Sequence, residues 1–313
     1  MTTAATHQTP LADVRGKVAF ITGGSSGIGL GLGRVFSAAG MKVVFTYMRE
    51  SHRDAALASY PAGNPGLHAI KLDTADRDGM VRAADEAQEV FGNVHLLANN
   101  AGVGITAQVS NATWNDWDWA MNVNVNGVFN GVHTFLPRML AHGEGGHIVT
   151  TSSSAGLVAG MLGVYVTTKY AVMGMMESLR VELEGRNIGV SAFCPGLVKT
   201  DIFNTERNRP PELANPGGSH HHAGPPPGIN GAPPVDLMAA AMDPLYAAEQ
   251  VLAGIRRNDL FILTHQEFQA ATRERGEALM ASFPTEPAPL LRQQTAATFV
   301  PPMYGIEAAR RSR

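Results

Sequence analysis

Two side chains able to exchange a proton with a substrate lie four residues apart in a helix-like segment of this chain. Tyr165 and Lys169 share one face of that helix, because residues four apart are neighbours on a helical surface. A free tyrosine, with a pKa of about 10, is a poor acid at neutral pH. A neighbouring ammonium group stabilises the phenolate and lowers that pKa. The pair therefore predicts a general acid or base, although a Tyr-x-x-x-Lys spacing alone also occurs on ordinary helix surfaces.

A run of five hydroxyl residues, Thr150 to Ser154, ends the strand-like segment that precedes this pair. In an open α/β sheet, ligands bind outside the carboxyl ends of the strands. A serine at such an end can hold a carbonyl oxygen while Tyr165 gives that oxygen a proton. The hydroxyl run and Tyr165 together predict a site that acts on a carbonyl group or on the corresponding alcohol.

A glycine-rich turn, Thr22–Gly29, joins the first strand-like run to the first helix-like segment with the spacing T-G-x-x-x-G-x-G. Glycine allows positive φ and lets backbone N–H groups approach a pyrophosphate at a helix N-terminus. A lone glycine triplet can also mark a tight turn only, but the position in the first strand-to-helix turn favours dinucleotide binding. A P-loop is excluded because no Gly-Lys-Ser/Thr follows.

Short apolar runs alternate with longer amphipathic segments from Lys17 onward, which predicts an α/β fold with a doubly wound, mostly parallel sheet. Several strand-like runs lack polar alternation, as strands covered on both faces should. The predicted helices include 31–39, 79–91 and 165–184. The predicted strands are Val18–Thr22, Lys42–Tyr47, Leu67–Leu72, Val94–Asn99, His147–Thr151, Ile188–Phe193 and Leu260–Thr264.

Composition indicates an ordinary globular protein. Apolar residues make up 44% of the 313 residues and charged residues 16%, enough for a large core. The net charge of −3 gives no electrostatic reason to bind nucleic acid or an anionic membrane. Cys194 is the single cysteine, which excludes an intrachain disulfide and a cysteine-based zinc site. The N-terminus shows no signal-peptide pattern, and the longest uncharged stretch is rich in glycine and hydroxyl residues. We therefore expect a soluble, cytoplasmic protein without a metal.

We expect one domain, residues 17–283, between a flexible leader (1–16) and a C-terminal tail (284–313) that could cover a neighbouring subunit's pocket. A Pro/Gly-rich insertion at about 204–243 is predicted to be a lid, a binding loop or a disordered excursion. His220, His221 and His222 lie within it, and their spacing suits no ordered metal site. A long helix is predicted from Thr113, with Trp114 and Trp117 on its packing face.

In this order the motifs resemble those of the short-chain dehydrogenase/reductase family over roughly residues 15–265. They are T-G-x-x-x-G-I-G at 22–29, Asn99-Asn100-Ala101-Gly102, Asn124, the hydroxyl run, Tyr165-x-x-x-Lys169, and Pro195-Gly196 leading to Thr200. The resemblance implies a Rossmann-type fold and an enzyme that moves hydride between a nicotinamide cofactor and a CH–OH or C=O group.

The resemblance also implies a role for each catalytic residue. Tyr165 is the proton donor, and Lys169 binds the nicotinamide ribose and lowers the Tyr165 pKa. A serine orients the substrate, and Asn124 anchors a water-linked proton relay. Counting thirteen residues back from Tyr165 selects Ser152, whereas the G-H-I-V opening of the strand and an S-x-A-G signature select Ser153.

A deletion in a loop resolves this one-residue conflict. A slip inside a strand reverses every side chain, whereas loops tolerate deletions. We therefore take loop 157–164 as one residue short and assign Ser153, with Ser152 as the alternative.

The residue at the end of the second strand points to NADP, with NAD as the alternative. NAD-dependent members of the family place an acidic residue there, but this chain has Tyr47. The missing carboxylate removes a repulsion against a 2′-phosphate, and Arg49 is close enough in sequence to pair with one. The resemblance places Asp73 at adenine and assigns cofactor contacts to Gly23, Ser25, Ser26, Gly27, Ile28, Gly29, Arg49, Asp73, Asn100, Ala101, Gly102, Tyr165, Lys169, Pro195, Val198 and Thr200.

Within the family, the stretch Trp117–Thr150 resembles bacterial lignin Cα-dehydrogenases, which oxidise benzylic secondary alcohols. The matching segments are D-W-A-M-N-V-N-V-N-G-V, T-F-L-P-R-M and G-H-I-V-T, with D-P-L at Asp243 and I-L-T at 262–264. The resemblance implies a bulky or aromatic alcohol or ketone. It also implies an apolar pocket lined by Val103, Leu157, Met161, Leu162, Leu197 and Phe203.

Two alternatives to an NADP-dependent enzyme stay open from the sequence. One is a dinucleotide-binding redox sensor without turnover, and the other is an NAD-dependent benzylic alcohol dehydrogenase. Family members assemble as dimers or tetramers through the helices that follow Thr113 and Tyr165, so the resemblance also implies a homodimer or homotetramer.

Overall fold

The computed structural model describes residues 9–160, 162–216 and 237–311. A single sheet of seven parallel strands, ordered β3-β2-β1-β4-β5-β6-β7, forms the centre of the described structure. The order reverses between β1 and β4, and the crevice at such a reversal is where open α/β sheets bind ligands. The strands are β1 (Val18–Ile21), β2 (Lys42–Tyr47), β3 (Leu67–Lys71), β4 (Val94–Asn99), β5 (Gly146–Thr151), β6 (Ile188–Cys194) and β7 (Phe261–Leu263).

Helices cover both faces of the sheet. The helices that connect or follow strands are α1 (Gly27–Ala38), α2 (Glu50–Ala58), α3 (Arg77–Phe91), α4 (Trp114–Met121), α5 (Gly127–His142), α6 (Gly163–Glu182), α7 (Leu237–Ala240), α8 (Pro244–Arg257), α9 (Gln269–Ala281), α10 (Leu290–Phe299) and α11 (Met303–Arg311). The predicted doubly wound parallel sheet is confirmed. Both ends of each predicted strand lie within one residue of the observed ends.

Successive residues of the central strands enter two different cores, which explains why these strands lack polar alternation. In β1, Val18 and Phe20 enter the core on one face, whereas Ala19 and Ile21 enter the core on the other. The Phe20 ring packs against Phe135 of α5 with 4.5 Å between ring centroids. A strand buried on both faces needs apolar side chains at every position.

A π-helical turn, Asn122–Asn126, separates α4 from α5 and corrects the predicted packing face. Trp114 is 84% exposed, although the spacing of apolar residues placed it on the buried side. Trp117 is partly buried against a small core, as predicted, and Trp119 is buried in that core at 2%. A π turn adds one residue to the helical repeat, so a periodicity that fits α5 is out of phase with α4.

The folded part of the chain begins before Lys17, so the predicted leader is too long. Leu11 is 2% exposed and Val14 is fully buried, and both belong to the core beneath α1 and α8. The Gly16 N–H donates to the Gly40 carbonyl, 2.8 Å away. These two apolar residues are isolated among polar ones in the sequence and give no periodic signal.

The C-terminal tail contains helices, and its last helix docks on the body of its own chain. Glu307 of α11 pairs with Arg180 of α6 at 2.6 Å, and both side chains are 10% exposed. The second Glu307 oxygen accepts the Leu260 N–H at 3.1 Å. Arg180 also donates to the Asn258 carbonyl at 2.8 Å. The last helix of the tail thus packs at the amino-terminal ends of β6 and β7.

Two predicted features lie at the limits of the described structure. Of the predicted insertion, the described parts are 3₁₀ turns within Ile202–Asn208 and Pro211–Leu213 and the helix α7. The three adjacent histidines lie outside the described residues. Among the described residues, no helix combines the length and the apolarity that crossing a membrane would require.

Replacing Glu307 by glutamine should destabilise the fold. The variant removes the carboxylate that pairs with buried Arg180, and breaking a buried pair costs about 3–5 kcal/mol. We expect Tm to fall by roughly 5–10 °C in a thermal melt. Glu86→Gln is the control, because its pair with His68 is half exposed and should shift Tm by about 1 °C. Equal melting of the Glu307→Gln variant and the wild type would contradict the docking of α11.

Candidate active site

The turn between β1 and α1 is packed so tightly that several of its positions admit only glycine. Gly23 and Gly27 have φ of +63° and +51°, in the left-handed region that favours glycine. A Cβ at Gly24 would lie 2.6 Å from the Phe45 Cβ, and one at Gly29 would lie 2.2 Å from the Gly23 carbonyl oxygen. The backbone here is therefore bare, as close approach to a pyrophosphate requires.

Helix α1 begins at this turn without a side-chain cap. Ser26 is the N-cap residue, and its hydroxyl makes no capping hydrogen bond. The first N–H groups of a helix attract anions. A cleft of about 590 Å³ beside the turn is lined by Ser26, Gly27, Lys199, Thr200, Asp201 and Met238. The bare backbone, the uncapped helix and the cleft fit the pyrophosphate of a dinucleotide.

Threonine and asparagine side chains fasten this turn to the neighbouring strands. The Thr22 hydroxyl accepts the N–H groups of Asn100 and Ala101 at 2.9 and 3.0 Å. The Asn100 amide donates to the Thr22 carbonyl at 3.2 Å, and its oxygen accepts from the Thr151 hydroxyl at 3.2 Å. Asn100 thus connects the ends of β1, β4 and β5 in one network.

Ser153, Tyr165 and Lys169 converge at the carboxyl end of β5. The Ser153 hydroxyl lies close enough to Tyr165 to lower the Tyr165 pKa, and the Lys169 ammonium lies 5.4 Å from the centre of the Tyr165 ring. Lys169 donates to the Thr151 carbonyl at 2.9 Å. Ser152 is directed away from Tyr165, since its hydroxyl donates to the Lys169 carbonyl at 3.0 Å and is buried. Of the two serines, Ser153 therefore has the geometry to share a substrate oxygen with Tyr165.

Burial dominates the protonation of these groups in the protein alone. Burial raises the pKa of Tyr165 to about 12, against a smaller lowering effect of the Ser153 side chain. This direction is opposite to the expected lowering by Lys169, because removing the hydroxyl from water has the larger effect. Burial also lowers the pKa of Lys169, to about 8. In this state Tyr165 is a neutral hydroxyl that can donate a proton.

Asn124 lies in the π turn between α4 and α5, and both the oxygen and the nitrogen of its side-chain amide are hydrogen-bonded within the protein. Its amide donates to the Val103 carbonyl at 3.0 Å and to the Thr168 hydroxyl at 3.1 Å. Its oxygen accepts the Val103 N–H at 2.8 Å. A Cβ at Gly102 would lie 3.2 Å from that oxygen and 3.8 Å from the Lys169 nitrogen. Asn124 thus connects the loop after β4 to α6, near Lys169.

Basic and aromatic side chains surround the end of β2. Tyr47 is buried at 8%, and the Arg53 guanidinium lies over its ring, 5.4 Å from the centre. Arg53 also donates to the Tyr47 hydroxyl at 3.3 Å. Arg49 precedes α2 and donates to the Arg207 carbonyl. Arg53 is the basic residue that the sequence did not single out, because its position on α2 fits no spacing rule.

The remaining predicted cofactor residues occupy this same edge of the sheet. Asp73 follows β3, and its carboxylate accepts the Ala75 N–H at 2.9 Å. Thr200 faces the glycine turn, since a Cβ at Gly27 would lie 2.8 Å from its Cγ2. The Pro195 carbonyl accepts the Ser154 N–H at 2.7 Å.

The predicted apolar lining is distributed between the site and the core. Val103 is 5% exposed and packs in a small core with Trp119 and Val164. Val198, predicted to contact the cofactor, is 4% exposed and belongs to the core beneath α1. Leu157, Leu162, Leu197 and Phe203 are partly exposed. Met161 lies outside the described residues.

A buried ion pair holds the 202–216 segment against α4. The Arg209 side chain is 5% exposed and pairs at 2.7 Å with Asp116, which is fully buried. Its guanidinium also lies 4.4 Å from the centre of the Trp119 ring. Nearby, the Gly104 N–H donates to the Thr205 hydroxyl at 3.2 Å. Together with the bond from Arg49 to the Arg207 carbonyl, these contacts place the segment across the ends of β2 and β4.

Comparison with known proteins gives concordant matches. The short chain dehydrogenase model matches residues 17–211. Over 274 residues, 87% of this chain and 88% of the relative, the chain is 36% identical to a C alpha-dehydrogenase from Sphingobium. It is 33% identical to an NADP-dependent (R)-specific alcohol dehydrogenase from Lentilactobacillus kefiri, over 61% of this chain and 77% of that one. A short chain dehydrogenase/reductase from Burkholderia phymatum in complex with NAD superposes with a TM-score of 0.76 at 32% identity, covering 89% of this chain and 99% of that one.

The burial of Lys169 predicts a pH-dependent stability. Its pKa is about 8 in the folded protein against 10.5 for an ordinary lysine, so the unfolded chain binds more protons between these values. The free energy of unfolding that depends on Lys169 therefore rises with pH across this window. We expect the wild type to gain on the order of 2–3 kcal/mol relative to Lys169→Met between pH 8 and pH 10, as measured by urea unfolding.

Lys42→Met provides the baseline for this comparison, because Lys42 is exposed. Its stability difference from the wild type should stay nearly constant with pH. If the Lys169→Met difference is equally constant, the ammonium group is not buried as described.

Proposed function

This chain belongs to the short chain dehydrogenase family, and we propose that it interconverts a bulky or aromatic secondary alcohol and its ketone, with NADP(H) as the preferred hydride carrier. As an oxidoreductase of this family, it acts on CH–OH and C=O groups of small molecules with NAD(P). The observation that carries the proposal is the convergence of Ser153, Tyr165 and Lys169 beside the glycine turn.

Each of these residues has a chemical task in the proposed reaction. The Ser153 hydroxyl donates a hydrogen bond to the substrate oxygen and holds it against Tyr165. During reduction the Tyr165 hydroxyl gives its proton to that oxygen as negative charge develops on it, and during oxidation the phenolate takes the proton back. Lys169 favours the phenolate by its charge. Asn124 holds the loop after β4 against α6. Lys169 lies on α6 and is positioned by this contact.

The nicotinamide cofactor, when bound, supplies or accepts the hydride. The residues that fit it are the bare glycine turn Thr22–Gly29, the Asn100–Gly102 loop and Thr200, which approaches Gly27. These groups lie at the reversal of strand order, where the sheet leaves an open crevice.

Preference for NADP(H) is supported by the charges at the end of β2. Tyr47 offers no carboxylate to repel a 2′-phosphate, the Arg53 guanidinium lies over its ring, and Arg49 follows two residues later in the chain. Arginine pairs with phosphate through short charge-assisted hydrogen bonds. The relative from Lentilactobacillus kefiri is named as NADP-dependent.

NAD-dependent oxidation of a benzylic alcohol is the second candidate. It is favoured by the 36% identity to a C alpha-dehydrogenase across 87% of the chain. Glu50 also supports it, since this carboxylate forms an ion pair with Arg53 and reduces the positive charge available to a 2′-phosphate. The partly exposed apolar side chains of Leu157, Leu197 and Phe203 suit an aromatic substrate in either case.

Assembly into a homodimer or homotetramer is part of the proposal. Helices α4, α5 and α6 offer surfaces for it, and Trp114 and Phe129 are large apolar side chains there with exposures of 84% and 54%. Exposed aromatic residues are enriched in protein interfaces.

Removing the Tyr165 hydroxyl should abolish turnover without abolishing cofactor binding. We expect Tyr165→Phe to lower kcat/KM for aryl ketone reduction by about 10³-fold or more, as followed by the nicotinamide absorbance. Ser153→Ala should lower it by about 10²-fold, because one hydrogen bond to the developing charge is lost. The dissociation constant for NADPH, measured by cofactor fluorescence, should change by less than about threefold in both variants.

Ser152→Ala is the matched control for the serine assignment. Its hydroxyl donates to a backbone carbonyl, so we expect a loss below about tenfold. A larger loss in Ser152→Ala than in Ser153→Ala would reverse the assignment. Unchanged turnover in Tyr165→Phe would contradict the proposed chemistry.

Arg49 should contribute to discrimination between the two cofactors. Arg49→Gln removes one charge-assisted hydrogen bond to a 2′-phosphate, so the dissociation constant for NADPH should rise at least about tenfold. The value for NADH should stay within about threefold. Arg15→Gln, a change at an exposed arginine paired with Asp13, is the control. If the wild type binds NADH more tightly than NADPH, the benzylic alcohol dehydrogenase is favoured instead.

A further inference from the structure

A segment between the body of the protein and its last helix projects from the fold. This segment, residues 269–300, consists of α9, α10, the residues between them and Val300, and is called the arm below. Neither helix contains a buried residue. From residue 281 to residue 300, every residue is exposed. The arm therefore takes no part in the two cores around the sheet.

Both ends of the arm are fixed to the body. Before it, His265 accepts the Gly196 N–H at 2.9 Å and donates to the Leu197 carbonyl at 3.1 Å. After it, α11 is held by the ion pair between Glu307 and Arg180. Near its start, the Arg275 guanidinium lies over the Tyr170 ring of α6, 5.2 Å from the centre. The arm is thus a closed loop anchored at both ends, not a free terminus.

The arm exposes large apolar side chains. Taking roughly 150–220 Å² for a side chain of this size, the exposed apolar area is on the order of 800 Å². Each partner in a standard-sized protein interface buries about that area. The side chains, 51% to 79% exposed, are Leu279, Met280, Phe283, Leu290, Leu291, Phe299 and Val300.

The helices of the arm are too short to be stable while surrounded by water. Helix α9 has 13 residues and α10 has 10. Isolated helices below about 12–15 residues are marginal in water, and helices in proteins are stabilised mainly by packing of an apolar face. A partner that is present whenever the chain is folded would therefore stabilise the arm. A second copy of the same chain is such a partner.

The charge of the arm suits a second copy better than a charged partner. It contains three arginines and three glutamates and no lysine or aspartate, so its net charge is zero. Such a surface has no long-range attraction to a nucleic acid or an anionic membrane. It also has no net charge with which to repel an identical arm, as a symmetric interface between two copies requires.

We propose that the arm is an interface between two copies of this chain, in which the apolar side chains of 279–300 are buried. This deepens the homo-oligomer of the proposed function by naming the segment responsible. It adds a contact that is separate from the surfaces of α4, α5 and α6. The arm starts beside the Pro195–Leu197 loop, so the interface begins next to the candidate active site.

The first test compares the oligomeric masses of matched leucine variants. The masses are measured by sedimentation velocity over a range of protein concentrations. The double variant Leu290→Glu/Leu291→Glu places charges at two exposed positions of α10. We expect its average mass to fall to half that of the wild type or less, with a dissociation constant at least 100-fold higher. Leu57→Glu, which alters an exposed leucine of α2, should retain the wild-type mass. Cofactor binding by both variants establishes that they are folded.

The second test uses the wild type alone, so that a misfolded variant cannot decide the outcome. Amide hydrogen exchange is measured on the full chain at concentrations above and below the dissociation constant. We expect the amides of 281–300 to be protected in the oligomer and to exchange at least tenfold faster after dilution. Amides of β4 and β5 serve as the reference, because their protection belongs to the core of each copy.

The outcomes separate this inference from the proposed function. A wild type that is monomeric at every concentration would overturn both the arm interface and the homo-oligomer. An oligomeric wild type whose mass is unchanged in the Leu290→Glu/Leu291→Glu variant, with unprotected arm amides, would overturn the arm interface only. Protection of the arm in the dilute monomer would show that the arm packs on its own body, and would overturn it as well.

Discussion

The close approach of the β1–α1 turn to its neighbours is the constraint from which the rest of the site follows. A Cβ at Gly23 would lie 2.9 Å from the Ala101 Cα, and one at Gly24 would lie 2.6 Å from the Phe45 Cβ. Because no side chain fits at these two positions, the backbone of the turn is bare there and packs directly against β2 and the loop after β4. Asn100 can then connect three strand ends with one side chain. The same closeness leaves the start of α1 open to an anion.

Proton transfer at Tyr165 depends on a balance between burial and charge. Burial alone raises the pKa of Tyr165 to about 12 and lowers that of Lys169 to about 8. Both shifts favour neutral groups, which suits proton donation during reduction. Oxidation needs the phenolate, and any added positive charge near Tyr165 and Lys169 favours that form. The two directions of the reaction therefore use the same residues with different protonation, set by what binds beside them.

The sequence was sufficient to predict the sheet and the convergence of the catalytic types, because both depend on local patterns. Buried strands such as β4 consist of apolar residues at nearly every position, and their bounds were predicted within a residue. Tyr165 and Lys169 share a helix face by spacing alone. The sequence assigned Ser153 with Ser152 as the alternative, because a one-residue shift in a short loop separates the two, and the structure directs the Ser152 hydroxyl to the Lys169 carbonyl.

Features that depend on distant contacts gave no local signal. Arg209 and Asp116 are 93 residues apart in the chain, and Arg180 and Glu307 are 127 apart. A charged residue that will be buried with a partner has the same appearance in sequence as one on a solvated surface. The π turn is likewise not detected by a search for a periodicity of 3.6 residues. It leaves Trp114 exposed and Trp119 on the packing face.

The loop that follows β6 connects the chemistry to the periphery of the molecule. The Pro195 carbonyl accepts the Ser154 N–H, next to Ser153. One residue later, Gly196 is packed so closely that a Cβ there would lie 2.7 Å from both the His265 and the Phe268 rings. His265 and Phe268 are the residues from which the arm departs. Close packing of these rings against Gly196 holds the loop after β6 and the start of the arm together. The arm therefore begins one layer of side chains away from the loop that contacts Ser154, beside Ser153.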